Sequence, residues 1–181
     1  TVADRHAEAM IRRAIERAYP GDGIYGEEEG RSGNRASEWV IDPIDGTKSF
    51  ICGVPLYATL LAHCVDGVPD IGVCYFPALD ELLYAEIGQG AYWNGRTARV
   101  SQQTDLRRSM IACGSHRVML KKGQSDAIDR LAADVMGTRT WCDAYGHALV
   151  ATGRVEAMLD PVVQPYDILA MQCIVQEAGG R

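Results

Sequence analysis

The chain changes rhythm near Ser101, and no other feature narrows its possible folds as much. From Glu38 to Ile87, short apolar runs alternate with turn residues. Tyr57 to Val65 and Ile71 to Tyr75 flank Asp66-Gly67, a hairpin signal, with Pro69 delaying the second strand. Leu82 to Ile87 predicts a further strand and Asn94-Gly95 a second tight turn, so this half reads as a meandering antiparallel sheet. Beyond Ser101, strands and helices alternate. Met110 to Ala112, Thr138 to Trp141 and Val155 to Leu159 read as strands. Ser125 to Val135, Ala144 to Ala151 and Pro165 to Ala178, the last closed by Gly179, read as helices. That alternation predicts an α/β lobe. Ahead of both, Ala3 to Tyr19 is an amphipathic helix, with Ile11 and Ile15 on its apolar side and Arg12, Arg13, Glu16 and Arg17 opposite. The expectation is an α+β lobe over residues 1–104 and an α/β lobe over 105–181, packed as one unit.

Bulk properties remove several classes. A net charge of −6 over 181 residues argues against nucleic acid as a ligand, because phosphate-backbone binding wants a positive face. No apolar run reaches the roughly 18 residues of a membrane span, and the polar start Thr1-Val2-Ala3-Asp4 carries no secretory signal. The six cysteines form no C-x-x-C pair, so they read as buried thiols of a cytoplasmic protein. The missing initiator Met and the abrupt stop at Gly179-Gly180-Arg181 predict an internal piece of a longer chain.

Three acidic groups carry the chemistry: Glu27-Glu28 after Gly26, Asp42-Pro43-Ile44-Asp45-Gly46-Thr47 after the apolar run Trp39-Val40-Ile41, and Asp167 near the start of the last helix. The apolar run should halt at Asp42-Pro43, where proline's fixed φ bends the chain. Asp45 then lies three residues on, so both carboxylates can face one point beside the Ile44 carbonyl. Gly46 permits close backbone approach, and Thr47 offers a hydroxyl and an N–H at the start of a short helix. An all-oxygen donor set of this kind suits Mg²⁺ rather than zinc. With Glu27 and Asp167 added, it can hold paired ions about 3.5–4 Å apart. Each group alone has an ordinary explanation: turn chemistry, a solvated charge run, or a helix N-terminus.

Taken together and in this order, these motifs resemble the inositol monophosphatase family of the fructose-bisphosphatase-like phosphatases. The likeness runs from Ala3-Asp4 through Gly26-Glu27-Glu28, the W-V-I-D-P-I-D-G-T block, Val150-Ala151-Thr152-Gly153 and Pro165-Tyr166-Asp167 to Glu177-Ala178-Gly179-Gly180. It implies a layered αβαβα fold and hydrolysis of a small phosphorylated metabolite with two or three Mg²⁺ ions, Mn²⁺ being a possible substitute. By position, Glu27, Asp42, the Ile44 carbonyl, Asp45 and Asp167 match metal ligands. Thr47 and Glu27 match the pair that orients the attacking water, and Asp4 matches an acid on a mobile segment that assists them. Asp45, Gly46 and Thr47 match the segment that meets the phosphate. The family also has helical material before Ala3 and a strand-rich segment after Gly180, and homodimers are usual in it.

Lys48-Ser49-Phe50, Asp143-Ala144-Tyr145-Gly146 and Met158-Leu159-Asp160-Pro161 resemble the histidinol-phosphatase branch. Asp143 and Asp160 would suit the ammonium and imidazole of histidinol phosphate, although Asp143 reads equally as an N-cap. Trp141-Cys142 departs from the branch, which has two glycines there. The alternatives are an inositol-1-monophosphatase, a 3′-phosphoadenosine nucleotidase and a non-catalytic interaction protein that kept the fold. The four histidines read as structural.

Overall fold

The computed structural model describes residues 1–141 and 143–181. Helix α1 (Val2–Ala18) starts at Thr1, whose hydroxyl oxygen accepts from the N–H groups of Ala3 and Asp4. Ile11 and Ile15 pack on Ile24, Trp39 and Ile41, as the periodicity predicts. A second ridge of the helix is polar and buried: Asp4, Glu8 and Arg12, spaced four apart. This corrects the placing of Arg12 on the solvent side. Its Nε donates to Glu8 at 2.8 Å, and a second nitrogen donates to the Gly30 carbonyl, so the charge is paired inside the fold.

The large sheet has the order β2-β1-β3-β4-β5-β6-β7-β8. Its strands are β1 (Gly23–Gly26), β2 (Gly30–Ser32), β3 (Ser37–Asp45), β4 (Ala58–Val65), β5 (Val68–Phe76), β6 (Glu81–Glu86), β7 (Gly90–Trp93) and β8 (Arg96–Ala98). From β3 to β8 it is the expected meander. Asp66-Gly67 and Asn94-Gly95 make its two-residue turns, each with both residues at positive φ. Three details differ. β1 runs parallel to β3, so the sheet is mixed. Pro69 does not delay β5, because it lies opposite Cys64 where the register shifts and the ladder is already interrupted. β3 does not halt at Asp42 but continues to Asp45.

The small sheet is parallel, with β9 (Met110–Cys113) between β10 (Gly137–Arg139) and β11 (Ala157–Leu159). The remaining helices are α2 (Thr47–Ile51), α3 (His116–Lys121), α4 (Ser125–Asp134), α5 (Asp143–Ala151) and α6 (Pro165–Glu177). β2, α3 and a 3-10 turn at Leu106–Arg108 lack a signal strong enough to predict them.

Side-chain alternation sets the layers. Val40, Leu60, Ala62, Cys74 and Leu83 face Met171, Cys173 and Ile174 of α6, while Trp39, Ile41 and Leu61 face α1. Leu149 of α5 meets Ala112 and Val155, and Ile111 and Cys113 face Met119, Ile128 and Leu131 of the outer helices. The order is helix, large sheet, helix pair, small sheet, helix pair, which is the expected αβαβα sandwich. Four of the five described cysteines are buried and Cys52 is exposed; Cys142 lies outside the described residues. Among the described residues, no helix is long and apolar enough to cross a membrane.

Candidate active site

Asp42 and Asp45 belong to one strand, three residues apart, a spacing that normally sends side chains to opposite faces. The register of β3 on β4 resolves this. Asp42 pairs with Leu60 and Asp45 with Ala58, so β3 holds one extra residue between them. A bulge of one residue restores the parity and turns both carboxylates the same way. Pro43 lies inside the bulge, where its carbonyl accepts from Thr59 Oγ1 at 2.9 Å. Asp42 Oδ1 accepts the Ile44 N–H at 3.1 Å. Gly46, at φ +75°, ends the strand and starts α2, whose Thr47 hydroxyl donates to the Ile44 carbonyl at 3.2 Å.

Asp167 comes from a different layer. It is the third residue of α6 and accepts the Gln164 N–H at 2.7 Å in a capping box, which aims the start of the helix at the bulge. Carboxylate oxygens of Asp42, Asp45 and Asp167 all lie within 4.8 Å of one another. Glu27 stands in the turn after β1 and lines the same cleft, where its charge raises Asp42. All four predicted carboxylates therefore meet, in a cleft of about 220 Å³ that also exposes Ile44, Gly46, Thr47, Asp143 and Asp160. Asp4 sits elsewhere: it is buried in the first turn of α1 rather than on a free segment, and it reaches the cleft only through its charge on Glu27.

Asp143 opens α5 at φ +59°, a strained conformation for a residue with a Cβ. The N–H of the next residue, Ala144, is donated to Asp45 Oδ2 at 2.6 Å, across 99 residues of sequence. The aspartate that serves the start of α5 is thus Asp45, while Asp143 faces Gly46 and the cleft.

Burial and mutual repulsion dominate the electrostatics. Burial, then the charges of Asp45, Glu27 and Asp167, push Asp42 up to about 10. Burial also lifts Asp45 well above the carboxylate range, against the bond from Ala144, with Asp143 adding to the rise. Asp160, Asp167 and Glu27 are raised as well, each chiefly by burial. Lys48 is the one lysine or arginine among the cleft's lining residues, too little charge to balance six carboxylates. A crowded oxygen-only donor set without a matching protein cation fits hard divalent cations, which relieve the repulsion that protonation otherwise must.

The sequence reading overlooked part of the lining. Ser115, Val118, Pro161 and Val162 close one side of the cleft, beyond the carboxyl ends of β9 and β11. Ligands of parallel α/β sheets gather at that edge, and this was the available signal. His147, read as structural, also lines the cleft, and burial brings its pKa down to about 4.

A layered αβαβα fold with bulge-borne aspartates facing a helix-borne one defines a class of metal-assisted phosphatases. Over residues 1–181 the chain matches the inositol monophosphatase family. It is 45% identical over 182 residues to a histidinol-phosphatase from Chlorobaculum parvum, covering 99% of this chain and 70% of that protein. A putative Nus factor SuhB from Neisseria meningitidis is 37% identical, covering 98% of this chain and 70% of that protein. The structure of an inositol monophosphatase from Anabaena superposes with a TM-score of 0.93 at 32% identity, over 99% of this chain and 73% of that one. The chain belongs to the inositol monophosphatase family, whose phosphatases are in general Mg²⁺-dependent.

Proposed function

We propose that this chain hydrolyses histidinol phosphate to histidinol with Mg²⁺ as cofactor. The observation that carries the reading is the sharing of one cleft by six carboxylates: Glu27, Asp42, Asp45 and Asp167, which match metal ligands, and with them Asp143 and Asp160. The first four, with the Ile44 carbonyl, would hold two or three ions, Mn²⁺ being a possible substitute. Mg²⁺ held there would polarise the phosphate and make a water more acidic. The N–H groups of Gly46 and Thr47 bind the phosphate, while Glu27 and Thr47 orient the attacking water for in-line displacement. Asp4 reaches this site through its charge, which adds to the rise of Glu27.

Asp143 and Asp160 set the substrate. Two carboxylates in a partly dry cleft favour an ammonium or imidazolium, which a polyol does not offer. Asp143 is free for that role because Asp45 takes up the N–H that opens α5. The histidinol-phosphatase name of the Chlorobaculum parvum relative points the same way.

Phosphate release from histidinol phosphate and from inositol 1-phosphate, each with and without Mg²⁺, tests the reading. Turnover of the first at ten or more times the efficiency of the second, abolished by chelation, is expected. Equal rates would return the substrate to inositol phosphates, in line with the inositol monophosphatase from Anabaena. A folded protein that binds Mg²⁺ and hydrolyses neither would favour the interaction role suggested by the SuhB relative.

A further inference from the structure

Glu27 stands on the exposed turn that joins β1 to β2, outside the sheet ladder. A metal ligand on such a turn needs an external support, since an error of about 1 Å in a ligand is costly. The support is visible on α1. The Glu8 carboxylate, fully buried, accepts the N–H of Glu28 at 2.8 Å and of Glu29 at 3.1 Å. These are the two amides that follow Glu27, and the sheet ladder does not use them. Arg12 Nε donates to the same carboxylate at 2.8 Å, and its other nitrogens reach the Gly30 carbonyl and Ser32 Oγ. The whole turn from Gly26 to Ser32 is thereby stitched to one face of one helix.

Gly26 supplies independent support. A Cβ at that position would fall 2.0 Å from Glu8 Oε1, so the carboxylate occupies the space that glycine leaves open. On the other side, the Glu27 N–H donates to the Ile41 carbonyl at 3.2 Å, beside Asp42. Glu27 is therefore held between the Glu8 clamp and β3.

We infer that Glu8, braced by Arg12, is a positioning residue that sets the affinity of the carboxylate site by fixing the turn bearing Glu27. The inference rests on the reading of Glu27 as a metal ligand. Glu8 touches neither substrate nor cleft, and acts only through the two amides.

Mn²⁺ titration followed by electron paramagnetic resonance, on folded protein judged by circular dichroism, tests this for E8Q, E27Q and the double variant. E8Q keeps the shape of the side chain but places an NH₂ among three donors. Its Mn²⁺ affinity should fall about 10-fold or more, the loss typical of disturbing a residue that orients a ligand. In the E27Q background the same change should cost little further, because its route of action is gone. I15V, which loosens the apolar contact of the same helix, should lower Tm and leave Mn²⁺ affinity as it is. If E8Q does not fold, R12Q loosens the same turn from its Gly30 side and should show the same non-additivity with E27Q. Unchanged affinity in E8Q, additive losses in the double variant, or an equal loss in I15V would each overturn the inference while leaving the metal reading intact. An unmodified protein that binds no Mn²⁺ would remove both.

Discussion

Asp42 is crowded by the charges of Asp45, Glu27 and Asp167 as well as by burial, and its replacement should separate binding from folding. Asp42→Asn removes one of several crowded carboxyls while keeping the acceptor for the Ile44 N–H. Turnover should drop by at least about two orders of magnitude, since a ligand counts for no less than its supporting residues. The metal-free variant should meanwhile melt no lower than the parent at pH 8, which scanning calorimetry would show. The pH dependence follows from the same group. Its folded pKa lies near 10 against 3.8 ordinarily, so between those values the fold binds more protons than the unfolded chain. Stability of the metal-free protein therefore falls as pH rises through that window. Tm measured in chelator should decline from pH 5 to pH 9, and Mg²⁺ should remove most of the slope. A flat profile in chelator would mean that the carboxyls do not crowd as described.

Two contacts between elements decide whether the aspartates meet. At Gly46 the chain leaves β3 at φ +75°, and a Cβ there would lie 3.2 Å from the Leu56 carbonyl and 3.3 Å from Asp143 Oδ2. Gly46→Ala should cost roughly 1–2 kcal/mol for the left-handed backbone alone, and urea denaturation would measure it. At Gly72, β5 and α6 touch so closely that a Cβ would sit 2.3 Å from the Ala170 carbonyl. Gly72→Ala must push α6 away at a cost of about 1–3 kcal/mol, moving Asp167 relative to Asp42. Metal affinity should weaken together with stability, even though Gly72 lies outside the cleft. Isothermal titration would reveal an unchanged affinity if the helix could adjust without shifting its first turn.

For the molecule as a whole, the acids come from three layers: Glu27, Asp42 and Asp45 from the large sheet and its turns, Asp143 and Asp167 from the inner helices, and Asp160 from the end of the small sheet. Ions bound among them link these layers, so binding should stabilise the entire fold. At a Mg²⁺ concentration about 100 times Kd, the gain of about 2.7 kcal/mol should raise Tm by roughly 5–10 °C. A shift confined to one of two separate transitions would show that the layers unfold independently.

Local pattern was enough for most of the elements, with β2 and α3 as exceptions, and for the type of donor at the site. Hairpins marked by Asp66-Gly67 and Asn94-Gly95, the strand-helix alternation after Ser101 and the D-P-I-D-G-T block each act within a few residues, where backbone sterics and side-chain period decide. Those same residues suggested Mg²⁺ chemistry, because donor type is a property of side chains alone. Local pattern let Asp42 and Asp45 face one point, but it contained neither the cause of that parity nor the partners of the buried charges. Asp42 and Asp45 share a face only because β4 imposes a bulge, and β4 becomes the neighbour of β3 only through tertiary pairing. Arg12 reads as a solvated charge until Glu8, Gly30 and Ser32 surround it. The role at the start of α5 passed from Asp143 to Asp45, which lies 99 positions from the Ala144 N–H that it accepts. Such assignments depend on which groups exclude water from one another, and that is settled when the layers close.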